Sequence, residues 1–178
     1  MNRIFVTSDL WFNRPTGNLS GYTATEYNDI IINNWNEVVG KRDDVYILGG
    51  LGIGDMYHLI VRLNGRIHIL NNFYTNEEMY FKDLLKTTIE QSSDKSLKRR
   101  ITFETDQMIS IPQFDTILSY FPLAEWYGRK SGTFCFYGGT AKSNFQENAI
   151  SCISEIWKNR PIEIIEVQSN INKFKENI

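Results

Sequence analysis

Apolar and polar residues alternate in two rhythms along this chain, and the rhythm changes near residue 101. Before that point, short apolar runs alternate with longer amphipathic stretches. Arg3 to Ser8 is a brief run rich in β-branched and aromatic residues, the pattern of a buried strand, and it ends at Asp9. A polar loop containing glycine and proline follows to about Tyr22. Thr23 then precedes Glu26 by three residues, the spacing of a capping box. It opens a predicted helix in which Ile30, Ile31, Asn34, Trp35 and Val38 recur at helical intervals, with Gly40 as its stop. Val45 to Leu48 predicts a second buried strand and Asp55 to Leu63 a helix, closed by Asn64-Gly65. Arg66 to Leu70 predicts a third strand and Glu77 to Gln91 another helix.

From Ile101 onward the runs shorten. Ile101–Phe103, Met108–Ile111, Thr116–Ser119, Thr133–Tyr137 and Ala149–Ile156 read as strands separated by turn residues. Glu163 to Lys175 predicts a closing helix with Ile165, Ile171 and Phe174 on one side. Strands alternating with helices imply an α/β protein whose sheet is at least partly parallel. With 178 residues, 42% of them hydrophobic, and no repeat or low-complexity linker, the chain reads as one domain spanning 1–178.

Composition narrows the function classes. A net charge of −2 supplies no basic field to recruit nucleic acid or an anionic membrane. No run approaches the ~20 apolar residues of a membrane span, and the first ten residues lack the pattern of a signal peptide. Cys135 and Cys152 sit in apolar segments and read as buried, reduced thiols of a cytoplasmic protein; a disulfide between neighbouring strands is the alternative. Abundant Ile, Asn and Lys fit an AT-rich bacterial or phage genome. One basic cluster, Lys95, Lys98, Arg99 and Arg100, is a candidate phosphate contact. It lacks interleaved aromatics for stacking bases, and it reads as a solvated loop between a helix and a strand.

Gly49-Gly50-Leu51-Gly52-Ile53-Gly54, between a strand and a helix, invites comparison with dinucleotide-binding loops. The even alternation does not match G-x-G-x-x-G, and the next strand ends in Asn71-Asn72 where a ribose-binding acid belongs. No cofactor is expected.

The order of the segments resembles the small bacterial and phage branch of the calcineurin-like metallophosphoesterases, from the first residue to about Ile162. Ser8-Asp9-Leu10 after the first strand resembles that family's S-D-x-H motif. Asp44-Val45-Tyr46-Ile47-Leu48-Gly49 is similar to the approach to L-G-D, and Leu63-Asn64-Gly65-Arg66 to the run before G-N-H-D. Leu118-Ser119-Tyr120-Phe121-Pro122-Leu123 resembles S-H-Y-P-L. Phe136-Tyr137-Gly138-Gly139-Thr140-Ala141 resembles L-Y-G-H-x-H, and Trp157 with Arg160-Pro161-Ile162 the closing W-x-x-R-P segment. The resemblance implies a two-sheet β-sandwich flanked by helices.

It also implies a two-metal centre, whose ions polarise phosphoryl oxygens and generate a hydroxide nucleophile. The matching positions here do not supply its ligands. Asp9 is kept, but Trp11, Gly50, Tyr120, Gly139 and Ala141 stand where the family has His, Asp, His, His and His. At G-N-H-D, one register places Phe73 and Tyr74 at the Asn and His; a one-residue deletion instead keeps Asn72 and places Phe73 at the His. The chain's two histidines, His58 and His68, fall on no motif. Glycine and alanine offer no side-chain lone pair, and the aromatic rings would fill the space. The sequence therefore predicts a catalytically inactive relative with no metal, in which Asp9 serves as a hydrogen-bonding group at a strand end. Trp11, Phe73, Tyr74 and Tyr120 are expected to converge where the metals were, plugging the cleft. The expected activity is binding to a protein partner, with a phage-encoded inhibitor or adaptor of a host protein as one form. Two alternatives stay open: a phosphoesterase with a relocated or single-metal site built on Asp9, Asn72 and Asp55, and non-catalytic nucleotide or nucleic-acid binding.

Overall fold

Two mixed β-sheets stack face to face, and the four helices of the first half cover the outer face of the first sheet. The computed structural model describes residues 2–73, 75–139 and 148–176, the last three of these by backbone alone. In the first sheet the strand order is β4-β3-β2-β1-β9. Strands β1 (Ile4–Thr7), β2 (Asp44–Ile47), β3 (Arg66–Ile69) and β4 (Ile101–Phe103) run parallel, and β9 (Ile162–Glu163) closes antiparallel on β1. In the second sheet the order is β5-β6-β7-β8. There β5 (Met108–Ile111) is antiparallel to β6 (Thr116–Ser119), while β7 (Phe134–Tyr137) and β8 (Ala149–Ser151) continue parallel to it.

Strand alternation sorts the core into two layers. Phe5, Val45, Ile47, Ile67 and Ile69 point to the helices α1 (Ala24–Val38), α2 (Tyr57–Ile60), α3 (Asn76–Gln91) and α4 (Lys95–Arg100), where Ile31, Trp35, Ile60, Leu85 and Leu97 meet them. Val6, Leu48 and Leu70 point the other way, against Leu118, Phe134, Phe136 and Ile150 of the second sheet. Helix α5 (Ile164–Glu176) packs on this second layer through Ile164, Val167 and Ile171. The capping box that begins α1 is formed, with Thr23 Oγ1 accepting from Glu26 N and the Glu26 carboxylate accepting from Thr23 N. Both cysteines are free, buried thiols. Among the described residues, no helix is long and apolar enough to cross a membrane.

Several boundaries differ from the sequence pattern. The Asp55–Leu63 helix shrinks to Tyr57–Ile60, because the Gly52–Met56 approach is held as a loop by Asn13 and by Asp55. The run Ala149–Ile156 is strand only to Ser151; Ser154–Trp157 turns as a 3-10 helix, because Ser154 is drawn back to Asp9 and Ser8. In α5 the inward residues are Ile164, Val167 and Ile171, while Ile165 is exposed; the side chain of Phe174 lies outside the described residues. Gly40 lacks a left-handed conformation, and α1 ends instead where Asp43 Oδ2 accepts from Gly40 N. The basic cluster is not a loop. Asp94 caps it through Ser96 N and Leu97 N, and it forms α4.

The glycine alternation has a structural cause. Beyond β1 and β2 the chain continues as two side-by-side segments, with Asp9 N donating to Gly49 O, Trp11 N to Gly50 O and Phe12 N to Leu51 O. Asp9, Trp11 and Asn13 are left-handed on one side, and Gly50, Gly52 and Gly54 have positive φ on the other. A Cβ on Gly50 would lie 2.5 Å from Asp9 Cα, and one on Gly52 would lie 2.5 Å from Phe12 O. These positions require glycine because the two backbones touch.

Candidate functional site

The strand ends of both sheets converge on Asp9. Its carboxylate is buried, 5% exposed, and three donors reach it: Ser8 Oγ at 3.0 Å and Gly139 N at 3.1 Å on Oδ2, and Tyr120 OH at 3.1 Å on Oδ1. Burial raises the Asp9 carboxyl above its ordinary value, and the Ser8, Gly139 and Tyr120 hydrogen bonds oppose that shift. Its backbone is also held in place, since Asp9 O accepts from Ser154 Oγ at 2.9 Å. A left-handed Asp9 followed by a left-handed Trp11 is strained backbone, costing about 1–2 kcal/mol per residue.

Tyr120 is the aromatic residue that fills this cleft. It is 1% exposed, and its ring lies against two glycines: a Cβ on Gly49 would come within 2.5 Å of it, and one on Gly138 within 2.8 Å. The partners of the ring are thus Gly49 and Gly138, where the sequence pointed to Gly50 and Gly139. Gly50 instead abuts Asp9 itself: a side chain there would begin 2.4 Å from Asp9 Oδ1. Gly139 contributes its N–H to the carboxylate.

Among the described aromatics, Trp11 and Phe73 do not converge on this cleft with Tyr120 as expected. Trp11 lines a cavity on another side of Asp9, with the Arg14 guanidinium 5.7 Å from its ring centre. Phe73 is 37% exposed and lies under the Lys82 ammonium, 5.2 Å away, because β3 ends before it and α3 carries Lys82 over it. Tyr74 and Ala141 lie outside the described residues. Asn72 is buried at the end of β3, its amide nitrogen donating to Leu48 O at 3.0 Å and Gln107 O at 2.9 Å. Asp55 is remote from this grouping in role, accepting from Tyr57 N at the surface. Behind the glycine segment, fully buried Glu78 accepts from Leu51 N at 2.9 Å. Lys82 Nζ donates to Asn71 Oδ1, and burial lowers its pKa.

The histidines stand apart. His58 is exposed on α2. His68 stacks on Tyr46 and lies between Glu104 at 2.9 Å and Asp44 at 3.3 Å. Among the described residues, no group of three or more His, Cys, Asp or Glu side chains is arranged to hold a metal ion. In the basic cluster, Arg100 turns inward and donates to the carbonyls of Leu63, Gly65 and Val61, leaving Lys95, Lys98 and Arg99 exposed. Arg100 therefore closes the end of α2 and is not displayed for a phosphate.

A second concavity, of about 1230 Å³, lies between β8, β9 and α5, with Trp157, Ile162 and Val167 in its wall and Ile156 exposed at its rim. Sequence reasoning missed this groove, and it also missed Ser8, Arg14, Gly138 and Asn159 around Asp9. Ser8, in the Ser-Asp pair, and Gly138, beside Gly139, lay within segments that carried a signal; Arg14 and Asn159 are brought in by topology.

No family model and no curated protein matches the chain. Among solved structures it is similar to AQ665 from Aquifex aeolicus, a protein of unknown function, at 16% identity, over 95% of this chain and 99% of that one, with a TM-score of 0.57. That likeness establishes a shared α/β architecture over nearly the whole chain.

Proposed function

We propose that this chain is a degenerate relative of the calcineurin-like metallophosphoesterases that works without catalysis, as a protein-binding module. One observation carries the reading: the kept acid, Asp9, has both carboxylate oxygens engaged by Ser8, Tyr120 and Gly139. Gly50, standing for the bridging Asp of the resemblance, has no room for a side chain. Two-metal chemistry needs open ligand positions around both ions. Here a ring and backbone occupy them.

The groove beside β8 supports the binding half of the reading. β8 is a sheet edge. Cys135 N donates to Asn148 O and Cys152 N to Tyr137 O, so the backbone of Ala149 faces away from β7. An extended segment of another protein, pairing with this edge and laying apolar side chains over Trp157, Ile162 and Val167, is the occupant that fits. An inhibitor or adaptor encoded by a phage and aimed at a host protein is one form this takes.

The test has two arms. Metal content and Mn²⁺-dependent hydrolysis of a generic phosphodiester are measured first; stoichiometric metal with turnover abolished by Asp9→Ala would overturn the non-catalytic reading. Affinity capture from bacterial lysates then compares the wild type with Ile156→Asp, a change at an exposed position. A stoichiometric partner retained by the wild type and lost by the variant is expected; no stoichiometric partner across several hosts would overturn the binding reading.

A further inference from the structure

We propose that the cavity beside Asp9 binds a small zwitterion of the α-amino-acid type, its carboxylate held by Arg14 and Asn159 and its ammonium turned to Glu155. The cavity measures about 340 Å³ and lies between the loop after β1 and the 3-10 turn after β8, with Trp11, Arg14, Thr16, Glu155 and Asn159 in its wall. That volume falls at the low end of small-molecule sites, roughly 300–1,000 Å³.

Two of these side chains lack a hydrogen-bond partner among the described residues. Asn159 is only 7% exposed, yet among the described residues its side-chain amide makes no hydrogen bond. The amide is not sealed in the core either, for the sealed orphan oxygens are those of Thr7 and Ser151; it opens on the cavity. Its direction is set by a tight turn, with Lys158 and Asn159 both left-handed and Asn159 N donating to Ser154 O at 2.8 Å. The Arg14 guanidinium likewise has no hydrogen bond or carboxylate partner among the described residues and keeps its contact with the Trp11 ring, while Arg14 N donates to Trp11 O.

Glu155 decides the class of ligand. Its Oε1 accepts from Asn18 N at 2.9 Å and its carboxylate packs against Gly17, so the charge is oriented and does not swing freely. Arg14 and Glu155 share the cavity wall, but no ion pair joins them. A simple anion there would face Glu155, and a simple cation would face Arg14. A molecule bearing both charges satisfies both, and the Asn159 amide, donor and acceptor at once, serves either end. This site rests on different residues from the groove beside β8 and stands or falls separately.

The experiment titrates the full-length protein with each of the common free L-amino acids by calorimetry, followed by amide chemical shifts. Saturable binding of at least one is expected, about tenfold or more weaker for its des-amino and des-carboxy analogues. Arg14→Gln and Glu155→Gln should each weaken it similarly; glutamine at 155 keeps an acceptor for Asn18 N, and Arg14 is exposed, so both variants should fold. Asn159→Gly removes the amide while relieving the left-handed backbone, and it too should weaken binding. Absence of binding by every amino acid would overturn the proposal. So would equal binding of the plain carboxylate with no effect of Glu155→Gln, which would leave an anion pocket only.

Discussion

Replacing Tyr120 by Phe removes one hydroxyl and almost nothing else. The ring still packs on Gly49 and Gly138, but Asp9 Oδ1 loses the donor at 3.1 Å inside a site where the carboxylate is 5% exposed. A hydrogen bond to a charged group contributes about 1.5–3 kcal/mol, against about 1 kcal/mol for a neutral pair. The cost should therefore depend on whether Asp9 is ionised. Its folded pKa is raised above 3.8 by burial, so its contribution to stability is fully present below the unfolded value and is lost as pH rises through the folded one. The three donors limit that loss. Without the Tyr120 hydroxyl the folded pKa rises further and the loss at high pH deepens. Chemical denaturation of wild type and Tyr120→Phe at about pH 4 and about pH 8 should show a penalty near 1 kcal/mol at the lower pH and about 2–3 kcal/mol at the higher. For a chain of this size the larger value corresponds to a fall in Tm of about 2–4 °C per kcal/mol. A penalty equal at both pH values, or larger in acid, would refute the assignment of Tyr120 as a donor to ionised Asp9.

Three further outcomes test other parts of the structure. Gly50→Ala should cost at least about 1–2 kcal/mol from the left-handed backbone alone, and more from the collision with Asp9; a thermal melt matching the wild type would show that the two segments do not touch. Arg100→Ala should lower stability by about 2–3 kcal/mol through loss of charge-assisted bonds to part-buried carbonyls, while Lys98→Ala and Arg99→Ala stay within about 0.5 kcal/mol; denaturation midpoints check both. The thiol of Cys135 is pushed up to about 11 by burial, and that of Cys152 well above its ordinary value. Neither should react with a thiol reagent near pH 8 (about the pKa of a free thiol) until guanidinium unfolds the chain, and stoichiometric labelling of the native protein would contradict their burial.

Local order was written in the residues themselves. The capping box at Thr23, the alternation that splits β2 and β3 between two core layers, and the order of the strands and of helices α1, α2, α3 and α5 all follow from short-range pattern, because hydrogen bonding and burial there repeat with a fixed period. What the residues could not disclose was contact across long separations. Tyr120 reaches Asp9 over 111 positions, Gly139 over 130 and Ser154 over 145. The same closure turns Arg100 inward to cap α2 and leaves Phe73 at the surface. It also gathers Arg14, Glu155 and Asn159 around one cavity. Side-chain type sets what each of these groups is able to do; only the stacking of the two sheets decides which of them meet, since packing of distant segments carries no periodic signature along the chain.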